Sequence, residues 1–340
     1  MKSHPLISVC IPAYNRAENL TELLESILSQ DFEDFEIVIC EDFSPQRESI
    51  RLITQEYLIS NPSKIRYFEN YKNFGYDRNF RELVSKSQGD FCVFVGNDDL
   101  LEVGALSHIA DCLNKAENPG AFLRTYRSFS GSKDSPGELF RYFPNFQVFP
   151  PGIETVGVFF RRFVVISGLG IHRETANLVA TDRFDGTLLY QLYLVSKVLL
   201  QREGVYSPRS VALYRTGGTP DFGNSELEKG KFVPGVQTPE SSIHFIEGLI
   251  RIAKDISQDY PNLFSIIMKD MRAYSYPLLS IQANQSFLVF LGYTIKLAKL
   301  GFATSIYFWF YFIVLSFLGP KRTNRLILLI KNRLGYTPKL

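Results

Sequence analysis

The feature that most constrains this chain is the alternation of short apolar runs with amphipathic stretches over its first hundred residues. Ile7–Ile11 is a short apolar run stopped by Pro12, and residues 19–30 then place Leu20, Leu23, Leu24, Ile27 and Leu28 on one helical face. Phe35–Cys40 reads as a second, fully buried strand, followed by the acidic turn Glu41-Asp42-Phe43-Ser44-Pro45. A helix over 46–60, a strand Ile65–Glu69, a helix over 78–87 and a strand Phe91–Val95 continue the pattern. Strands separated by helices return in the same direction, so the expected fold class is α/β with a mostly parallel, Rossmann-like sheet. Asn15, three residues before Glu18, has capping-box spacing and is expected to start the first helix.

In open sheets of this kind ligands sit beyond the carboxyl ends of the strands. Those ends read Ala13-Tyr14-Asn15-Arg16, Glu41-Asp42 and Gly96-Asn97-Asp98-Asp99, so carboxylates and one cation converge there. The stretch 120–215 is less regular, with strand-like pieces at Gly157–Ile166 and Val205–Tyr214. Residues 216–239 are rich in Gly, Pro and polar side chains and read as a loop or lid before a boundary. Thr238-Pro239 then opens an amphipathic helix carrying Ile243, Ile246, Leu249, Ile250 and Ala253.

Composition narrows the class further. At 45% hydrophobic and 21% charged, 340 residues make about two domains' worth of globular chain and not a disordered one. Four cysteines without a CxxC pair exclude a disulfide scaffold or zinc module, and Cys10, Cys40, Cys92 and Cys112 are expected to be core residues. The first apolar run is too short for a secretion signal or a span, so a cytosolic chain is expected. No acidic residue follows Asp270, whereas nine Lys/Arg do. The chain is thus an acidic body with a basic tail, which points to an anionic partner. Leu300–Gly319 carries no charge over about 30 Å of helix, which selects a membrane surface and not nucleic acid. Lysines and arginines flank this run on both sides, so helices lying in the interface, or a re-entrant hairpin, are expected in place of a crossing, with 322–334 a further basic amphipathic piece.

The segments ISVCIPAYNRAENLTELLESILSQDFEDFEIVICEDFS, NFGYDRN and SQGDFCVFVGNDDL, in that order over residues 6–110, resemble the nucleotide-sugar half of family 2 glycosyltransferases with a GT-A fold. The resemblance is to bacterial O-antigen and capsule enzymes, the abequosyltransferase-like group in particular. Beyond residue 110 it thins to GLGIHR at 168–173 and RFDGT at 183–187. It implies a GT-A domain over 1–215, divided into a nucleotide-sugar half (1–110) and an acceptor half (111–215). A loop with amphipathic helices (216–280) and a membrane-associating helical extension (281–340) would follow.

The resemblance also implies site roles. Asp98 stands at the last acid of the DxD-type motif, with Gly96 where the first acid often stands, so Asp98 is the principal expected ligand of Mn²⁺ or Mg²⁺ and Asp99 its neighbour. Asp42 matches the residue that meets the nucleobase, and Pro12, Tyr14 and Asn15 the loop around base and ribose. Arg16 either caps the helix region or touches phosphate. Asn73, Gly75, Arg78 and Asn97 are expected beside the diphosphate, and Arg215 either closes over the donor or belongs to a plain hairpin loop. A carboxylate pair is expected shortly after Phe184-Asp185, but Tyr190-Gln191 stands there. Asp185 is the first candidate for the base, with Asp182 and His172 behind it.

The expected function is inverting transfer of a sugar from a nucleotide-diphosphate donor to a lipid-linked saccharide in surface polysaccharide biosynthesis. The expected location is the cytoplasmic face of the inner membrane, peripheral or monotopic. The alternative, motivated by Gly96 and Gln191, is a catalytically impaired saccharide- or nucleotide-binding subunit of an assembly complex. A nucleotidyltransferase is disfavoured, because no Gly-rich basic phosphate loop follows the first strand.

Overall fold

The computed structural model describes residues 6–218 and 220–334. The N-terminal third runs β1 (Ile7–Ala13), α1 (Ala17–Leu28), β2 (Phe35–Glu41), α2 (Arg47–Ser60), β3 (Ile65–Glu69), α3 (Tyr76–Lys86), β4 (Phe91–Phe94), β5 (Leu100–Leu101) and α4 (Ala105–Leu113). The middle continues with β6 (Pro119–Phe129), β7 (Pro136–Phe140), β8 (Gln147–Phe149), α5 (Ile153–Phe159), β9 (Leu169–His172), α6 (Arg173–Leu178), α7 (Tyr190–Leu199) and β10 (Glu203–Arg215). Five α-helices close the described chain: α8 (Pro239–Ile256), α9 (Leu263–Ala273), α10 (Tyr276–Ser280), α11 (Phe287–Lys299) and α12 (Ile306–Leu334).

The strands form one sheet in the order β3-β2-β1-β4-β9-β6-β10-β5, with β7 on β6 and β8 on β10. The pairs β1/β2, β2/β3, β1/β4 and β6/β10 are parallel, as the alternation predicts. β9 is antiparallel to both β4 and β6 and joins the two parallel halves. Neither β6 nor β9 is legible as a strand from periodicity alone. β1 pairs with β2 on one side and β4 on the other, so chain order reverses there and the loops after β1 and β4 open a crevice.

Each sheet face is covered. On one, Leu20, Leu23, Leu24 and Ile27 of α1 and Leu106 and Ile109 of α4 share a core with the sheet residues Val9, Ile11 and Ile37. On the other, the core runs from Cys10, Val38 and Phe94 through α5 and α7 to α8, α9, α11 and α12, reaching Tyr293, Phe308 and Leu315. The C-terminal helices therefore share the core of the sheet. All four cysteines are free and buried.

Two local expectations are corrected. Asn15 does not cap α1: the N-cap is Arg16, left-handed at φ 57° and without a side-chain cap bond, and the Ala17 N–H donates to Gln46 Oε1 at 2.8 Å. Residues 157–166 are not a strand but the end of α5 and a 3₁₀ turn, Phe160–Phe163. Val156, Phe159, Phe160 and Phe163 are the buried residues, at spacings of three and four that suit a helix, and their aromatic richness resembles a strand only in composition. By contrast Thr238 caps α8 as the sequence indicates, its side chain accepting from Ser241 N.

Asp77, at the start of α3, ties this helix to the turn before α7. It is 1% exposed and accepts from the N–H groups of Thr187, Leu188 and Tyr190 at 2.8–2.9 Å. Burial pushes its carboxyl up to about 7, against the N–H bonds that pull it down. The folded state thus binds a proton that the unfolded chain releases near pH 4, so this group's contribution to stability falls as pH rises from about 4 to about 7. Asp77→Asn turns an amide N–H₂ towards some of these donors, each orphaned donor costing roughly 1–3 kcal/mol. Chemical denaturation is expected to show a loss of about 2 kcal/mol or more.

Candidate active site

The crevice at the β1/β4 reversal holds a cavity of about 400 Å³. Its floor comes from the loop after β1. Asn15 and Arg16 both take left-handed backbone conformations, at φ 53° and 57°, which non-glycine residues keep only when neighbours hold them. Asn97 does so, donating from Nδ2 to the carbonyls of Tyr14 and Asn15 at 3.2 and 2.9 Å. The turn aims the Arg16 guanidinium at the Asp98 carboxylate, with which it forms an ion pair, and sets Nε 3.5 Å from Asp221 Oδ2.

Asp98 and Asp99 are adjacent but differ in role. Both oxygens of Asp99 are engaged: Oδ2 accepts from Ser167 Oγ and Oδ1 from the Arg215 N–H at 2.7 Å. Burial, then the Asp98 charge, pushes the Asp99 carboxyl up to about 7. Asp98 is held through one oxygen by Arg16, and its carboxyl is raised by burial although Arg16 and Arg215 oppose the shift. A side chain at Gly96 would bring its Cβ to 3.1 Å from Asp99 Oδ2 and 3.3 Å from Asp98 Oδ1. The space of the missing first acid is therefore already used by these two carboxylates.

Glu41 and Asp42 also divide. Glu41 is turn chemistry, accepting from the N–H groups of Phe43 and Ser44 and pairing with Arg47. Asp42 lines the cavity and organises its far wall, Oδ1 accepting from Asn70 Nδ2 and Phe74 N and Oδ2 from Gly75 N at 2.8–2.9 Å. Burial pushes it up to about 6, against these three bonds. With two acceptor sites per oxygen, Oδ2 keeps one for a further donor. Gly75 has φ 84°, and a Cβ there would meet Ser225 Oγ at 2.6 Å and Glu228 Oε1 at 2.7 Å, so glycine is required where the loop 216–238 closes on α3.

Of the residues singled out in the sequence, Pro12, Tyr14, Arg16, Asp42, Asn73, Gly75, Asn97, Asp98 and Asp99 line this one cavity, as does Arg215. Five others do not: Asn15, Arg78, Asp185 and the two further base candidates, Asp182 and His172. Asn15 contributes its carbonyl to the Asn97 bond while its buried Oδ1 has no partner among the described residues. Arg78 turns out of the cavity and stacks 3.6 Å over the Phe74 ring. Asp185 is outside the lining, both oxygens accepting from Arg81 at 2.6 and 2.9 Å. A base must lie within reach of the reacting hydroxyl, and the Asp185 carboxylate, paired with Arg81, is not part of this cavity. Gln191, where an acid was expected, is 1% exposed and bridges Tyr76 and the Val164 carbonyl. Arg215 is anchored by the Asp98 carbonyl and Glu22 at 2.8 and 2.7 Å, as an element of the wall.

Sequence reasoning missed Asp221 and Glu228, which the loop after β10 brings into the lining. Glu228 fixes the loop by accepting from Tyr76 N and Gly223 N at 3.0 and 2.9 Å. The Asp221 carboxylate pairs with Arg16, and its side chain is 34% exposed. The loop itself was legible; which of its acids turns inward depends on a contact between positions 76 and 228.

Five carboxylates (Asp42, Asp98, Asp99, Asp221, Glu228) thus face two arginines (Arg16, Arg215) in one lining. Among the described residues no group of three His, Cys, Asp or Glu could by itself hold a metal ion. The donor chemistry nonetheless fits Mg²⁺ or Mn²⁺, which take one or two carboxylates and complete their shell with water and phosphate oxygens. Asp98 and Asp221 are the carboxylates that would hold the ion, since Asp42, Asp99 and Glu228 are buried and these two are not.

Residues 8–163 match the family described as glycosyl transferase family 2. Abequosyltransferase RfbV of Salmonella typhimurium is 38% identical over 102 residues, 30% of this chain and 31% of that protein. The GalNAc(5)-diNAcBac-PP-undecaprenol beta-1,3-glucosyltransferase of Campylobacter jejuni is 34% identical over 113 residues, 33% of this chain and 35% of that protein. The matches thus span about a third of the length of these relatives. Among solved structures, residues 1–349 of S. aureus TarS superpose with a TM-score of 0.58 at 16% identity, covering 83% of this chain and 75% of that one. The mannosyltransferase PcManGT of Pyrobaculum calidifontis, in complex with GDP-Man and Mn²⁺, gives 0.53 at 13% identity, covering 92% and 87%. At such identities the likeness is one of fold, and it is to GT-A glycosyltransferases. The chain therefore carries a family 2 glycosyltransferase domain, built on a GT-A-like, mostly parallel mixed sheet.

Proposed function

We propose that the cavity binds a nucleotide-diphosphate sugar and that the protein transfers the sugar, with inversion, to a lipid-linked saccharide during O-antigen or capsule assembly. The observation that carries this reading is the acid-rich lining at the β1/β4 reversal, with Arg16 suspended between Asp98 and Asp221. A diphosphate enters such a lining together with a divalent cation, whose bound role is to neutralise charge on the departing diphosphate. Asp98 is its proposed principal ligand. Arg16 supplies a fixed positive charge at the same place, and Asp42 Oδ2 offers an acceptor to a base N–H. Tyr14, whose phenol burial and the nearby Asp221 and Asp42 charges push up, stays neutral beside the ribose.

Asp221 is the proposed base in place of Asp185. Its side chain is 34% exposed against 16% for Asp98, while Asp42, Asp99 and Glu228 are buried, and a single displacement needs one group to take the acceptor hydroxyl's proton as the new bond forms. The name of the Campylobacter relative contains a lipid diphosphate acceptor, and we carry that acceptor class over to this chain.

Among the described residues no helix is long and apolar enough to cross a membrane. We propose a surface attachment at the cytoplasmic face of the inner membrane. Before its kink at Gly319-Pro320, α12 buries Phe308, Tyr311 and Leu315 on one face and leaves Ile306, Phe310, Ile313 and Phe317 exposed on the opposite one. Lys321, Arg322 and Arg325 follow at once, the combination that suits an anionic lipid interface.

The function is tested by incubating the purified protein with labelled nucleotide sugars and a lipid extract of polysaccharide-producing cells. Label is expected to move into the organic phase, and Asp221→Asn is expected to slow this about a hundredfold or more while donor affinity changes little. Donor binding without transfer or hydrolysis would instead favour the binding-subunit alternative.

A further inference from the structure

We propose that a second cavity, behind the first, holds the phosphate of the lipid-linked acceptor and the beginning of its apolar chain. The inference rests on the donor reading of the first cavity, which fixes where the acceptor hydroxyl must arrive. The second cavity has about 460 Å³, within the roughly 300–1,000 Å³ of small-molecule sites. Val164, Val165 and Phe245 line both cavities, so these residues form the partition across which donor and acceptor would meet.

Its lining is mainly aliphatic and aromatic, with Leu249 of α8, Met271 of α9 and Leu278 of α10 among its residues. Into this apolar wall come two guanidiniums, Arg161 and Arg162, and one carboxylate answers both. Asp270 accepts from Arg161 Nε at 2.7 Å and from Arg162 Nη1 and Nη2 at 3.2 and 3.3 Å. The Arg162 side chain is 4% exposed, and its Nε has no hydrogen-bond partner among the described residues. Behind it lies Arg124, fully buried, which donates to the carbonyls of Ser167, Arg162 and Val165 and meets no carboxylate among the described residues.

Arg161 and Arg162 share the single charge of Asp270, and Arg124 behind them rests on carbonyls and the Tyr126 ring, so positive charge exceeds negative in a largely buried region, which favours an anion there. The apolar walls exclude an anion hydrated on all sides, such as free phosphate, and select one attached to hydrocarbon. The way out suits a lipid. Ile281, 49% exposed, belongs to the lining and stands at its edge. Close by in the chain, Tyr276 of α10 lies against Tyr311 of α12, with ring centroids 5.5 Å apart. The chain would leave the cavity beside the helix proposed to lie on the membrane.

The test is calorimetry on the full chain with farnesyl phosphate below its micellar concentration, farnesol and inorganic phosphate, all without nucleotide sugar. Farnesyl phosphate is expected to bind at one site, at least tenfold more tightly than either of the others. Arg161→Gln, at a side chain 19% exposed and so tolerable to the fold, is expected to weaken it tenfold or more, and Ile281→Trp to do so by crowding the edge. Donor affinity should change less than twofold in both variants. Equal binding of inorganic phosphate, equal binding of farnesol, no binding of farnesyl phosphate, or indifference to both substitutions overturns the proposal. Since donor binding is measured separately, its absence would count against the donor reading and not against this site.

Discussion

Asp98→Asn is expected to lower sugar transfer by about a hundred- to a thousandfold, the usual cost of removing one group that stabilises developing charge. Its melting temperature should change little, because the Asp98 side chain is partnered chiefly by Arg16 at the edge of an open cavity. Asp99→Asn makes the contrast. Asp99 is 3% exposed and joins the β4 loop to Ser167 and to the end of β10. An amide there turns an N–H₂ towards one of these donors, so this variant should lose stability first and activity in consequence. Initial rates and thermal melts on the two proteins separate the roles. Rates within tenfold of wild type for Asp98→Asn would remove Asp98 from the chemistry.

The double substitution Phe310→Asp with Phe317→Asp is expected to abolish binding to vesicles containing anionic phosphatidylglycerol. Burying one phenylalanine contributes about 1.5–3 kcal/mol, so losing two from the lipid contact weakens partition by roughly a hundredfold or more before charge is counted. The fold should persist, since these side chains are 57% and 83% exposed. Half-molar salt should weaken the wild-type interaction as well, by screening Lys321, Arg322 and Arg325. Deleting residues 281–340 is a poorer experiment, because it strips Phe290, Tyr293, Phe308 and Leu315 from the core. Unchanged co-sedimentation of the double variant would exclude the α12 face as the attachment.

Much of the N-terminal third was legible because its signals are local. The α1 face from Leu20 to Ile27 repeats at helical spacing, Phe35–Glu41 is a nearly continuous apolar strand, and the acids lie where strands end. The chain beyond residue 110 was less legible because its determinants are long-range. β9 is a strand only by virtue of β4 and β6 on either side, and Asp185 is engaged by Arg81, far away in sequence. Asp221 reaches the site through a loop whose position depends on Glu228 meeting the start of α3. The basic end of the chain was legible as amphipathic and aromatic, but not as half core and half surface, since nearly every residue from 306 to 318 is apolar and only packing distinguishes the faces.

The most direct measurement is a calorimetric titration of the purified protein with a panel of nucleotide-diphosphate sugars, with and without Mn²⁺ or Mg²⁺. At least one donor should bind at a single site, more tightly when the ion is present, and Asp98→Asn should remove that enhancement. If no nucleotide-diphosphate sugar binds under any ionic condition, the cavity at the β1/β4 reversal is not a donor site and the account is wrong.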